Sequence, residues 1–166
     1  MTEAQTMALA QQLGKLLYDR GWMLASAESC TGGLFSAAIT EVAGSSQWFD
    51  RGFVTYSNAA KIEQLRVGAD TLERFGAVSE ETAMEMAAGA LEISDAQFAV
   101  STTGIAGPGG AVPGKPVGMV CFGFAQRAGQ GISTRAVTKM LDGDRAQVRA
   151  AAVAFALHTA LEILEP

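Results

Sequence analysis

Histidine and cysteine are almost missing from this chain. One histidine, His158, and two cysteines without CxxC spacing, Cys30 and Cys121, are too few for a Cys/His zinc centre. A Ser-His-Asp triad would depend on His158 alone, and helical spacing puts that residue with Gln147, Ala151, Glu162 and Glu165 on the polar side of the last helix. Charge is also sparse: charged residues make up 17%, the formal net charge is -5, and the basic residues are scattered. No Lys/Arg cluster of the kind that neutralises a phosphate backbone is present, so nucleic acid is not an expected partner. One small anionic ligand needs only one or two cations. No apolar run reaches the ~18 residues of a membrane span, and Met1 to Arg20 lacks the order of a secretion signal. A cytoplasmic protein with no membrane partner is the expectation.

What is abundant is apolar surface and glycine. Hydrophobic residues make up 49% and glycine contributes 19 of 166 positions. A chain of this length buries roughly 70% of the surface its unfolded form exposes, so residues 1–166 are expected to form a single domain without staples. Low charge over a glycine-rich chain suggests a large buried or shared surface, and a homo-oligomer is expected.

Periodicity orders the elements. Thr2 with Gln5 resembles a capping box, Leu9, Leu13, Leu16 and Leu17 follow at helical spacing, and Gly21 supplies a stop. Trp22 to Ala27 reads as a buried strand, followed by a turn and a helical stripe of Leu34, Phe35, Ala38, Ile39 and Val42. Gly52 to Tyr56 is a second strand, after which Asn58 caps a short helix with Lys61, Ile62 and Leu65. Ser79 starts another helix, with Glu80 and Glu81 in its first turn and Met84, Ala87, Ala88 and Leu91 inward. Phe98 to Thr103, Val117 to Phe124 and Ile132 to Met140 read as strands, and a last helix runs from near Asp144 to about Leu164. Alternation early and a strand pair late predict an α/β sandwich with a mixed, partly parallel sheet.

Three loops at strand ends carry chemistry-bearing residues, where open α/β sheets bind ligands. Glu28-Ser29-Cys30-Thr31-Gly32-Gly33 offers two nucleophiles before a helix N-terminus, although Ser and Thr at such turns commonly serve as caps. Tyr56-Ser57-Asn58-Ala59-Ala60-Lys61 puts a phenol at a strand end and an amine one helical turn on. A lysine desolvated there loses pKa and becomes a base, whereas a solvated lysine is the commoner case. Ser101 to Gly110 is hydroxyl-rich and then glycine-dense, able to cradle a phosphate on backbone N–H groups without matching a P-loop or dinucleotide order. Lys115 and Arg145 are the remaining cationic candidates for an anionic ligand.

Together, "AESCTGG", "YSNAAK" and "TGIAGPGG" followed by "KPVGMV" resemble the CinA C-terminal domain family, and "GDR" at Gly143 to Arg145 also matches. The family often has an aromatic residue two positions before GDR, where this chain has Leu141. The resemblance implies a three-layer α/β/α fold, no cofactor, no metal, and hydrolysis of the carboxamide of nicotinamide mononucleotide to nicotinate mononucleotide and ammonia. That is a salvage step of the pyridine nucleotide cycle. Larger relatives carry a molybdopterin-binding-type domain ahead of this one, and the early position of the first motif suggests the stand-alone form. Some members are associated with competence or DNA damage, which leaves a catalytically silent nucleotide-binding module as the alternative.

Carried onto this sequence, the resemblance implies Ser29 as nucleophile, Lys61 as general base and later proton donor, and Tyr56 as a hydroxyl that relays or orients the proton. Chemistry alone leaves Ser29 and Cys30 open, since a thiol at a helix N-terminus is the stronger nucleophile. Substrate contacts are expected from Cys30, Thr31, Gly32 and Gly33, from Asn58, from Thr103, Gly104, Gly107 and Gly109, and from Arg145. Backbone N–H groups around Cys30 to Gly33, or from Thr103 to Gly104, would hold the oxyanion. Glu28 has no assigned role.

Overall fold

The computed structural model describes residues 1–165. Thr2 and Gln5 form the capping box ahead of α1 (Glu3–Arg20): Gln5 Oε1 accepts from the Thr2 N–H at 2.8 Å and Thr2 Oγ1 from the Gln5 N–H at 3.2 Å. Gly21, at φ 65, ends the helix. β1 (Leu24–Glu28) is buried at every position and starts two residues later than the apolar run suggested. After the turn comes α2 (Leu34–Thr40), then a 3-10 turn over Ser45–Gln47 and β2 (Phe49–Val54). β2 is displaced toward the N-terminus of the expected Gly52–Tyr56 because its parallel pairing with β1 begins at Leu24 and Phe49 and ends at Glu28 and Val54.

The cap of α3 (Asn58–Leu65) is Ser57, whose hydroxyl accepts from the Ala60 N–H at 3.0 Å; Asn58 is the first helical residue and not the cap. α4 (Ala69–Phe75) was not anticipated, its seven residues being too few for a periodic signal. Glu85 holds its start, accepting from the Gly68 N–H and the Thr71 hydroxyl. α5 (Glu80–Glu92) begins at Ser79 as expected. Its inner stripe is Ala83, Met86, Ala87, Ala90 and Leu91, while Met84 and Ala88 are half-buried. The stripe is turned because α5 packs on α3 and α4 as well as on the sheet. Gly89 passes so close to the Leu65 carbonyl that a Cβ has no room.

β3 (Phe98–Gly104), β4 (Met119–Ala128), β5 (Gly131–Met140) and α6 (Arg145–Leu164) complete the chain, α6 behind an Asp144–Gln147 capping box. The sheet order is β2-β1-β3-β4-β5, parallel across β2-β1-β3 and antiparallel across β3-β4-β5. One apolar layer joins α1, α2 and α6 to the sheet through Leu13, Phe35, Phe122, Phe124 and Leu157. The other joins α3, α4 and α5 through Leu65, Leu72, Met86 and Leu91. This is the expected three-layer α/β/α arrangement. α6 is long and apolar enough by composition to cross a membrane, but its buried face, from Val148 to Leu164, packs in the first layer.

The connection from β1 to β2 runs over one face and that from β2 to β3 over the other. The carboxyl ends of all three parallel strands therefore meet at one edge, where the loops diverge and leave a crevice.

Candidate active site

Glu28 ends β1 inside the protein, 1% exposed, and its carboxylate organises the turn that follows. Oε1 accepts from the Thr31 hydroxyl at 2.7 Å and from the N–H groups of Gly33 and Phe35 at 3.2 and 2.8 Å. Oε2 accepts from the Ser36 N–H at 3.0 Å and its hydroxyl at 2.7 Å. An acid placed at the start of α2 meets the positive end of the helix and supplies acceptors that the glycine at the cap cannot. Gly32 and Gly33, at φ 57 and 101, give the backbone a left-handed course that L side chains rarely adopt.

Ser29 stands on that turn, 8% exposed, with its N–H donating to the Thr102 carbonyl at 2.9 Å. From the other face of the sheet α3 delivers Lys61, a fully buried lysine. Its Nζ lies 3.0 Å from Ser29 Oγ and 2.8 Å from the Thr55 carbonyl, and no carboxylate pairs with it among the described residues. Burial without a counter-ion disfavours the ammonium and lowers the amine from its ordinary 10.5; only Cys30 opposes the shift. The structure thus joins Ser29 to a lysine inclined to be neutral. Burial pushes the neighbouring Cys30 thiol the other way, up to about 12, with Glu28 adding to the rise against the pull of Lys61 and Arg149.

A cleft of about 280 Å³ opens above the turn, walled by Cys30, Tyr56, Arg145 and the loop from Gly104 to Gly110. Arg145 bridges it, donating to the Tyr56 hydroxyl at 3.0 Å and to the Gly107 carbonyl at 2.8 Å. Among the described residues, the N–H groups of Ala106, Gly107, Gly109 and Gly110 donate to no other residue, and neither do those of Cys30 and Thr31. The cleft therefore offers two sets of free donors, one beside Ser29 and one on the glycine loop.

Of the residues expected at the site, Cys30, Tyr56, Gly104, Gly107, Gly109 and Arg145 line this cleft, while Ser29 and Lys61 meet each other next to Cys30 and are not part of its wall. Others do not. Asn58 is exposed in the first turn of α3. The Thr31 hydroxyl is held by Glu28 and by Thr102 Oγ1 at 2.7 Å, and Thr103 donates its hydroxyl to the Ala77 carbonyl at 2.7 Å on the far face. The Gly32 N–H donates to the Ser29 carbonyl at 3.0 Å and the Gly33 N–H to Glu28, so neither is free for substrate. Lys115 is tied to the Phe75 carbonyl. Tyr56 is 64% exposed and makes no hydrogen bond to Ser29 or Lys61; its partner is Arg145. His158 is exposed on α6 beside Glu162, as its spacing suggested. Sequence reasoning missed Arg149, which donates to the carbonyls of Cys30 and Thr31 at 3.1 and 3.3 Å. Its spacing from Arg145, one helical turn on, was the available signal.

The molecule is a mixed α/β sheet with a buried serine–lysine pair and a donor-rich cleft at its switch point. The model of the CinA C-terminal domain matches residues 6–164, and the chain belongs to that family. It is 52% identical over 161 residues to the nicotinamide-nucleotide amidohydrolase PncC of Enterobacter agglomerans, covering 97% of this chain and 96% of that one. It is 50% identical over 159 residues to the PncC of Escherichia coli strain K12, covering 96% and 94%. Among solved structures, the competence/damage inducible protein CihA of Agrobacterium tumefaciens superposes with a TM-score of 0.89 at 45% identity, covering 97% of this chain and 96% of that one.

Proposed function

We propose that the chain hydrolyses the carboxamide of nicotinamide mononucleotide, with Ser29 as nucleophile and Lys61 as its base. The contact that carries this reading is the 3.0 Å approach of a buried lysine, without a carboxylate partner among the described residues, to the hydroxyl of the serine that precedes Cys30 on the cleft wall. The names of relatives about half identical over nearly the whole chain support the substrate.

Neutral Lys61 takes the proton as Ser29 Oγ attacks the carboxamide carbon, and the N–H groups of Cys30 and Thr31 receive the developing oxyanion. The C–N bond then breaks, and the departing nitrogen takes the proton from the Lys61 ammonium and leaves as ammonia. Water attacks the remaining nicotinoyl ester, giving its proton to Lys61. The acyl–oxygen bond breaks, Ser29 recovers the proton, and the carboxylate product is released. No histidine is used at any step. The free N–H groups of the Ala106–Gly110 loop and the Arg145 guanidinium suit the nucleotide phosphate. Tyr56 stands with Arg145 in this arrangement as a wall of the nucleotide site.

The test is ammonia release from nicotinamide mononucleotide, with free nicotinamide and the dinucleotide compared. Turnover of the mononucleotide, reduced on the order of 10³-fold or more but still measurable in Ser29→Ala and in Lys61→Met, is the expected result. Binding without turnover would overturn the assignment in favour of a silent nucleotide-binding module.

A further inference from the structure

Among the described residues, Arg149 is the charged side chain of the covering helical layer that hydrogen-bonds to the nucleophile turn, and it is directed at main chain. It sits in the second turn of α6, half-buried, and pairs with no carboxylate among the described residues. Its Nε donates to the Cys30 carbonyl at 3.1 Å and a terminal nitrogen to the Thr31 carbonyl at 3.3 Å. The same nitrogen lies 3.4 Å from the place a Cβ on Gly32 would occupy, so the guanidinium lies against the glycine.

The geometry of the trans peptide turns these contacts into an effect on the opposite side of the turn. In a planar trans unit the C=O and the following N–H point in opposite directions. Drawing the Cys30 carbonyl toward Arg149 therefore turns the Thr31 N–H away from it. The Thr31 carbonyl is held both by Arg149 and by the Leu34 N–H at 3.0 Å, and the opposed Gly32 N–H closes on the Ser29 carbonyl at 3.0 Å. That last bond fixes the Ser29–Cys30 peptide and with it the Cys30 N–H. Among the described residues the two successive N–H groups of Cys30 and Thr31, directly after Ser29, donate to no other residue, an arrangement suited to an anion. A cation on the carbonyl end also polarises the Cys30–Thr31 peptide and strengthens its N–H as a donor.

We propose that Arg149 is a positioning residue for the oxyanion site: it acts through the Cys30 and Thr31 peptides and does not touch substrate. The inference rests on the reading of Ser29 as nucleophile. It assigns to α6 two functions at one face, Arg145 toward the cleft and Arg149 toward the turn beneath it.

The test uses Arg149→Met, which keeps the stem, and Arg149→Lys, which keeps the charge without the two-nitrogen fork. Two readouts are taken. In steady-state hydrolysis of nicotinamide mononucleotide, Arg149→Met is expected to lower kcat on the order of 10²-fold, the scale of a lost oxyanion donor, with KM within about threefold and the acidic limb of kcat/KM unmoved. Arg149→Lys falls between. The second readout is labelling of Ser29 by an uncharged fluorophosphonate, in which the Oγ–P bond forms, fluoride leaves and Lys61 takes the serine proton. Labelling is expected to slow at least tenfold in Arg149→Met and to vanish in Ser29→Ala. A parent that labels but releases no ammonia would end the substrate assignment and leave Arg149 judged by the labelling rate. An unlabelled parent, a kcat and labelling rate within threefold of the parent's in both variants, or a KM that rises while kcat stands would each overturn the proposal. If Arg149→Met does not fold, Arg149→Lys decides, with parent-like kcat and labelling counting against it.

Discussion

Lys61 Nζ sits 3.0 Å from Ser29 Oγ, although the two residues lie on elements packed against opposite faces of the sheet. The lysine comes from α3 behind β1, passes the end of the parallel strands, and meets the serine where α2 begins in front. Its remaining contact is the Thr55 carbonyl, so the amine has an acceptor for one proton and the serine for its lone pair.

Ser29→Ala is expected to reduce kcat/KM on the order of 10³-fold or more, whereas Cys30→Ala stays within about tenfold. The thiol is buried, pushed up to about 12, and has no base in contact; the serine has Lys61. Steady-state ammonia release from both variants checks this, and a dead Cys30→Ala with an active Ser29→Ala would reverse the roles.

The lowered Lys61 pKa predicts two pH effects. kcat/KM should rise with pH as the amine loses its proton and level off below the ordinary 10.5, a limb absent from Lys61→Met. Stability has the same sign. Between the lowered value and 10.5 the unfolded chain holds more protons than the folded one, so the contribution of Lys61 is full above 10.5 and is lost as pH falls through the folded value. Thermal melts should therefore favour Lys61→Met most at low pH, the difference shrinking as pH rises toward 10.5.

Arg145 and Tyr56 should separate binding from chemistry. Arg145→Ala loses a charge-assisted contact of about 1.5–3 kcal/mol, which corresponds to roughly a 10- to 150-fold rise in KM for the mononucleotide. Tyr56→Phe loses only the hydrogen bond with Arg145 and should raise KM about fivefold with kcat nearly unchanged. A fall in kcat of ~10²-fold in Tyr56→Phe would restore the proton relay that the resemblance implied.

Glu28→Ala removes a buried carboxylate from five donors. The stranded N–H and hydroxyl groups should cost about 3 kcal/mol, a fall in Tm on the order of 10 °C by calorimetry.

Gly89→Ala tests a close approach that local rules misjudge. Helix propensity alone favours alanine by about 1 kcal/mol, yet the Leu65 carbonyl occupies the space of the Cβ. The variant should lose roughly 2 kcal/mol, read from its denaturation midpoint, because α3 has to move away from α5.

Much of this was legible in one dimension. The starts of α1, α5 and α6 follow from the residues Thr2, Ser79 and Asp144 that cap them, and the alternation of elements pointed to the mixed sheet. The glycine loop and the serine turn stood out because their residue types are unusual at strand ends. α4 was not legible, since it has only seven residues and its start is held by Glu85 on another helix, and Ser57 displaced Asn58 as a cap because neighbouring polar residues compete for the same N–H.

What the sequence determined by itself was the order of elements and the small set of groups able to do chemistry, for these depend on propensity, spacing and residue type. The tertiary structure decided which of those groups meet. Burial with no counter-ion inclined Lys61 toward the neutral amine, the reach of Glu28 across the turn fixed the start of α2, and Arg149, 119 residues from Cys30, met its carbonyl. Each of these is a long-range contact whose energy exists only once the sheet has brought distant segments together and excluded water from between them.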